Sequence, residues 1–148
     1  MNKEKLIEKI QLAIKIFSYP ENSELEEEFI SLFISNFNGI KCSPYAFDYL
    51  KDRNPIFFIN LKKIYELSGL KLSPEYKERE DHLITLLEYL AILLEEKIPD
   101  EYIKKFFNNY LFWIVEFANK LEKSTNNSYF LKGAKILKEI HYEIFKNS

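Results

Sequence analysis

The run Leu83, Leu86, Leu87, Leu90, Ala91 and Leu94 constrains this chain more than any other feature. Its steps of three and four residues are those of one face of an α-helix. Just before it stands Glu78-Arg79-Glu80-Asp81-His82, a charged cluster ending in an Asp-His pair. Asp81 is expected to cap the helix, because a carboxylate there accepts orphan backbone N–H groups and complements the positive end of the dipole. His82, one of two histidines, then falls in the first turn, at the mouth of a very apolar helix. The pattern predicts a helix over Asp81–Lys97, about 25 Å long at 1.5 Å per residue, broken by Pro99-Asp100.

The same spacing recurs along the chain. A first helix is expected from about Asn2 to Phe17, with Leu6, Ile10, Ala13, Ile14 and Phe17 as its buried stripe. Tyr19-Pro20 stops it, since the residue before a proline is pushed out of the helical region. A second helix starts at Asn22 or Ser23, where Ser23-Glu24-Leu25-Glu26 reads as a capping box. Its stripe is Leu25, Phe29, Leu32, Phe33 and Phe37, and Gly39 is its expected C-cap. A turn over Lys41–Tyr45 leads to a short segment with Phe47, Tyr49 and Leu50. Pro55 then opens a helix carrying Phe58, Leu61, Ile64, Tyr65 and Leu67, which Gly69 ends.

Ser73-Pro74-Glu75 starts a charged connector to the Asp-His pair. Beyond Pro99-Asp100, one helix is predicted to carry Tyr102, Phe106, Tyr110, Trp113, Phe117 and Leu121. After a polar loop over 123–128, a last helix carries Phe130, Ala134, Leu137, Ile140 or His141, and Ile144. No stretch alternates with period two, and glycine and proline are too scarce for a sheet protein. The expectation is a single all-α domain over residues 1–148, a bundle of about six or seven helices, too many for a simple four-helix bundle.

Several function classes fall away. The formal charge of −2 offers no general attraction to nucleic acid or to an anionic membrane. No apolar run approaches a membrane span, and the N-terminus leads straight into an amphipathic pattern without a signal-peptide core, so a cytoplasmic protein is expected. The lone Cys42 permits no intrachain disulfide and, in a turn between apolar segments, reads as inert. The three glycines stand apart, so no phosphate-cradling loop exists; neither His-Glu-x-x-His nor Cys-x-x-Cys occurs. Asp81 and His82, about 100° apart on a helix, cannot bond each other as an acid/base dyad. No cofactor, metal or catalytic residue is expected.

Three segments carry a family resemblance. Phe29-Ile30-Ser31-Leu32-Phe33 resembles an aromatic-x-x-Leu-Phe motif, and Ser43-Pro44-Tyr45 with Tyr49-Leu50 resembles the Pro-aromatic turn that follows it. Glu78-x-x-Asp81-His82-Leu83 resembles a Glu-x-Pro-Asp-His motif ahead of a long apolar helix. These are motifs of the TorD/NarJ/DmsD-like chaperones, the system-specific maturation proteins of molybdoenzymes. Phe17-Ser18-Tyr19-Pro20, Ile64-Tyr65-Glu66-Leu67-Ser68-Gly69-Leu70 and Leu111-Phe112-Trp113 with Phe117 extend the likeness over almost the whole chain. Glu80 stands where the family usually has proline, and Tyr110 where it usually has histidine.

The resemblance implies an all-helical fold and no catalysis. Family members bind the N-terminal twin-arginine signal region, and often the body, of a molybdenum-cofactor enzyme subunit. They hold it in the cytoplasm until the cofactor is inserted. Carried over by position, the functional residues are Leu32, Phe33, Pro44, Tyr45, Asp81 and His82. A groove of Leu32, Phe33, Tyr45 and Tyr49 is expected to hold the apolar part of the signal as a helix, with Asp48, Glu80 and Asp81 pairing its arginines. His82 is expected to donate to a peptide carbonyl or to anchor its helix start. Two other readings stay open: a nucleotide-binding helical protein, or a helical interaction scaffold without signal-peptide specificity. Monomer and homodimer are both open, with the connector from Ser73 to Glu80 as a candidate hinge.

Overall fold

The structure, a computed structural model, describes residues 1–35, 37, 39–69 and 79–147. Seven α-helices and one 3-10 turn make up the regular structure of these residues. Glu78 and the connector from Ser73 up to it lie outside the described residues.

The apolar helix, α4 (Leu83–Glu95), buries eight of its thirteen residues. That exceeds one face, so the helix needs cover on more than one side. Helix α1 (Lys3–Phe17) packs on it, as does α5 (Asp100–Tyr110); α1 is covered in turn by α7 (Ser128–Phe145), which also packs against α6 (Ile114–Ser124). The approach of α1 to α7 depends on Gly133: a Cβ there would sit 2.7 Å from the Phe17 ring and 2.8 Å from the Ile16 side chain. Phe17, Phe29, Phe33, Phe117 and Phe130 form a knot of ring contacts with centroids 5.0–6.3 Å apart, which ties α2 (Ser23–Phe33) to α1, α6 and α7.

Three boundaries differ from the sequence pattern, each because another group claims a backbone atom. Helix α4 begins at Leu83, and its N-cap is His82, not Asp81: the His82 Nδ1 accepts the Ile84 N–H at 3.0 Å. The Asp81 carboxylate is taken by partners outside the helix. At α2 the cap is Asn22, one of the two expected positions; its side chain accepts the Glu24 N–H, so Ser23 opens no capping box.

That helix ends at Phe33, where the Cys42 N–H takes the Leu32 carbonyl that a longer helix would spend on its next turn. Phe37 is therefore fully exposed instead of extending the stripe, and Gly39, at φ +97°, shapes the loop without capping α2. Finally, the single helix expected through Tyr102 and Leu121 is two. The Trp113 indole N–H donates to the Tyr110 carbonyl at 2.8 Å, the acceptor a continuous helix would give to Ile114. The bend lets Tyr110, Leu111, Trp113 and Ile114 all be buried, which one straight helix face cannot do.

Ile16 joins the α1 stripe where Ile14 was expected, and Ile140, not His141, is buried on α7. Helix α3 (Ile56–Leu67) follows Pro55 as its N-cap, and Gly69, at φ +76°, lies just past its end. Cys42 is buried, and burial pushes its thiol up, so it is a poor nucleophile.

Candidate functional site

Two of the three motif segments meet in one joint, and the Cys42 N–H, bonded to the Leu32 carbonyl, ties the chain just ahead of it to the third. Pro44–Ala46 runs antiparallel to Asp81–Leu83: the Ala46 N–H donates to the Asp81 carbonyl at 3.1 Å and the Leu83 N–H to the Pro44 carbonyl at 2.8 Å. The Asp81 side chain, with no exposed surface, accepts the Phe47 N–H at 3.0 Å and two N–H groups of Arg79 at 2.9 Å each. It thereby pins the 3-10 turn Ala46–Tyr49 to the start of α4. The Tyr45 ring meets the His82 ring edge-on, centroids 5.2 Å apart. Burial and the nearby Arg79 charge pull the His82 imidazole down to about 4, which leaves Nδ1 free of a proton to serve as the cap acceptor.

This placement changes the role of most predicted site residues. Leu32 and Phe33 lie in the closed core, so they are not the floor of an open groove as expected. Pro44, Asp81 and His82 are buried as well, in the joint. Tyr45 and Tyr49 are half-buried; the Tyr49 hydroxyl donates to the Ser43 carbonyl and its ring stacks on Trp113 at 4.9 Å. Asp48 is exposed and accepts the Ser43 hydroxyl. Glu80 is half-buried, pairs with Lys62 at 3.4 Å, and gives its carbonyl to the Tyr65 hydroxyl at 2.8 Å.

An open apolar groove lies elsewhere, between the end of α3, the middle of α4 and α5. It encloses about 610 Å³, and Leu67, Tyr89, Leu93, Tyr102 and Phe106 form much of its wall. Among the described residues, Lys105 is the one ionisable ammonium or carboxylate group in the lining. The groove exists because Lys97, in the left-handed region at φ 56°, ends α4 and turns the chain through Ile98 and Pro99. That turn sets α5 against α4 at one side while α3 closes the other. Leu67, 88% exposed, and Tyr102, 57% exposed, are apolar surface that no described residue covers. A sequence signal was present: Leu67 and Tyr102 lie at apolar spacing in helices whose buried faces are already filled by Leu61 with Tyr65 and by Ile103 with Phe106. What was missing was which helix faces which. Tyr65 links the groove to the joint, its ring 5.0 Å from that of Tyr89 and its hydroxyl on Glu80.

Among the described residues, no three His, Cys, Asp or Glu side chains gather where they could hold a metal ion, and no helix is long and apolar enough to cross a membrane. The described residues thus form an all-helical fold with a pinned motif joint and an open apolar groove. The chain belongs to the nitrate reductase delta subunit family, of the NarJ/TorD type, whose model matches residues 3–119. Its fold is that of a crystal structure from Archaeoglobus fulgidus which carries the description redox enzyme maturation protein. That match has a TM-score of 0.66 and 22% identity, over 95% of this chain and 94% of the other. The comparison with curated proteins found no match.

Proposed function

We propose that this protein is a cytoplasmic, system-specific chaperone of redox-enzyme maturation, acting as one domain over residues 1–148. It binds the twin-arginine signal region and the apo-form of a molybdenum-cofactor oxidoreductase subunit, holds it until the cofactor is inserted, and turns over no substrate. The family assignment and the description of the Archaeoglobus protein support the class. The observation that carries the binding reading is the apolar groove of α3, α4 and α5.

A space of about 610 Å³ suits the row of apolar side chains that one face of a short helix presents at i, i+3, i+4 and i+7. Each large apolar side chain removed from water contributes about 1.5–3 kcal/mol. After the entropic cost of association, three or four of them leave an affinity on the order of micromolar. Charge gives the direction. Lys105 repels arginines at the α5 side, whereas Glu80 and Asp48 attract them at the joint. The signal therefore lies with its arginines toward Glu80 and its apolar part in the groove.

Calorimetry with the signal peptide of the molybdoenzyme encoded beside this protein tests the reading. Micromolar binding, weakened when the apolar residues of the peptide are made polar, is the expected result. If no such peptide gives heat and the apo-enzyme is not retained, the protein is a scaffold of another kind.

A further inference from the structure

The guanidinium of Arg79 is held as a bound ligand would be. Nε and Nη2 donate to the two carboxylate oxygens of Asp81 at 2.9 Å each, a fork-on-fork pairing. Its Cζ lies 4.1 Å from the centre of the Tyr45 ring and 5.4 Å from that of Phe58, so the cation also faces two π-systems. The walls and the occupant differ in exposure: Asp81 has none, while the Arg79 side chain is 46% exposed. The carboxylate does not depend on Arg79 for its orientation, because the Phe47 N–H holds it from the protein side. If Arg79 swings out, an anion stays behind in the interior, which is costly until another cation replaces it. A two-pronged acceptor between aromatic faces favours a guanidinium over an ammonium for that replacement.

The geometry points to a guanidinium-binding site made by Asp81, Tyr45 and Phe58, filled in cis by Arg79 and opened to an arginine of a partner chain when Arg79 leaves. This deepens the signal-peptide reading and rests on it for the identity of the partner. The incoming group is an arginine ahead of the apolar segment, and Tyr65 joins this site to the groove through Glu80 and Tyr89. In the resting protein, Arg79 lowers the apparent affinity for such a chain by the fraction of molecules in which the site is vacant.

The first test needs no peptide. In Arg79→Ala, about 50 mM L-argininamide is expected to raise the melting temperature by about 2–5 °C, and the same concentration of L-lysinamide by much less. In the wild type the two amides act alike, because the site is filled. Equal shifts from both amides in Arg79→Ala overturn the site. Should that variant fail to fold, Arg79→Lys, which keeps a charge on Asp81 but not the fork, takes its place in the same comparison. The second test uses a fluorescent twin-arginine signal peptide and its twin-lysine counterpart. The arginine peptide is expected to bind Arg79→Lys about tenfold more tightly than wild type, with no gain for the lysine peptide. Equal affinity of the arginine peptide for both proteins overturns displacement. A peptide that binds neither protein counts against the signal-peptide reading alone, and the amide shifts then decide the guanidinium site.

Discussion

The motif joint and the α3–α4–α5 groove are both lined with aromatic side chains, yet they answer opposite demands. In the joint, polar groups are enclosed and paired: Asp81 has Phe47 and Arg79, and His82 has the Ile84 N–H. In the groove, apolar groups are left facing outward: no described residue covers Leu67 and Tyr102. A buried, satisfied polar cluster specifies local geometry and is costly to disturb. An uncovered apolar surface adds nothing to stability but is available to a partner. Recognizable motifs thus mark the half that fixes local geometry and carries the charge proposed to meet arginines, while the groove proposed to take the apolar segment has no motif of its own.

That contrast is testable by separating stability from binding. The largest effect is expected from Asp81→Ala, at about 2–4 kcal/mol of lost stability. The part-buried Phe47 N–H loses its acceptor and Arg79 its anchor. Urea denaturation followed by circular dichroism measures it, and an unchanged midpoint would make the joint a surface feature.

Next comes acid. His82 is held near 4 in the fold against about 6.5 when unfolded. Above about 6.5 both states are neutral and the full stability is present. As pH falls from about 6.5 to 4 the unfolded chain takes up a proton that the fold refuses, and on the order of 3 kcal/mol is lost. His82→Ala, which also loses its cap bond, flattens this stretch of the stability-against-pH curve. A variant as steep as wild type would move the acid response to another group.

Substitutions in the groove should do the reverse. Leu67→Glu and Tyr102→Glu lie at exposed sites, so their melting temperatures stay within a degree or two of wild type. Their affinity for the signal peptide falls about tenfold to a hundredfold, the range expected for apolar anchors. A groove variant that binds normally, or that unfolds, would erase the distinction between the two regions. The smallest effect is expected from Asp48→Asn on the exposed rim: a few-fold weaker binding that vanishes at high salt, read by titration at two ionic strengths.

Local pattern carried the fold a long way. The period of three to four residues located the helical segments, running only α5 and α6 together, and most of the α1 stripe and the apolar character of α4 follow from it directly. The structure brings Pro44, Tyr45, Asp81 and His82 together in one joint and leaves Leu32 and Phe33 in the core. Their roles were not legible. Asp81 looks like a helix cap because Asp-His-Leu is a sound helix start by itself; only a backbone N–H at Phe47, 34 residues away in sequence, draws its carboxylate elsewhere. Leu32 and Phe33 look like a groove floor, but both are buried, Phe33 against the Phe17, Phe117 and Phe130 rings.

What the sequence determined by itself is therefore what depends on near neighbours. Helical class, the apolar character of α4, the absence of a phosphate loop or zinc motif, and family membership all rest on residues a few positions apart. Tertiary structure decided what depends on competition between distant groups for one atom or one surface. It gave the α4 cap to His82, split the helix expected through Trp113, and ended α2 at Phe33. It also left an apolar groove between α3, α4 and α5. Periodicity states which face of a helix is apolar, but not whether a neighbouring helix arrives to cover it.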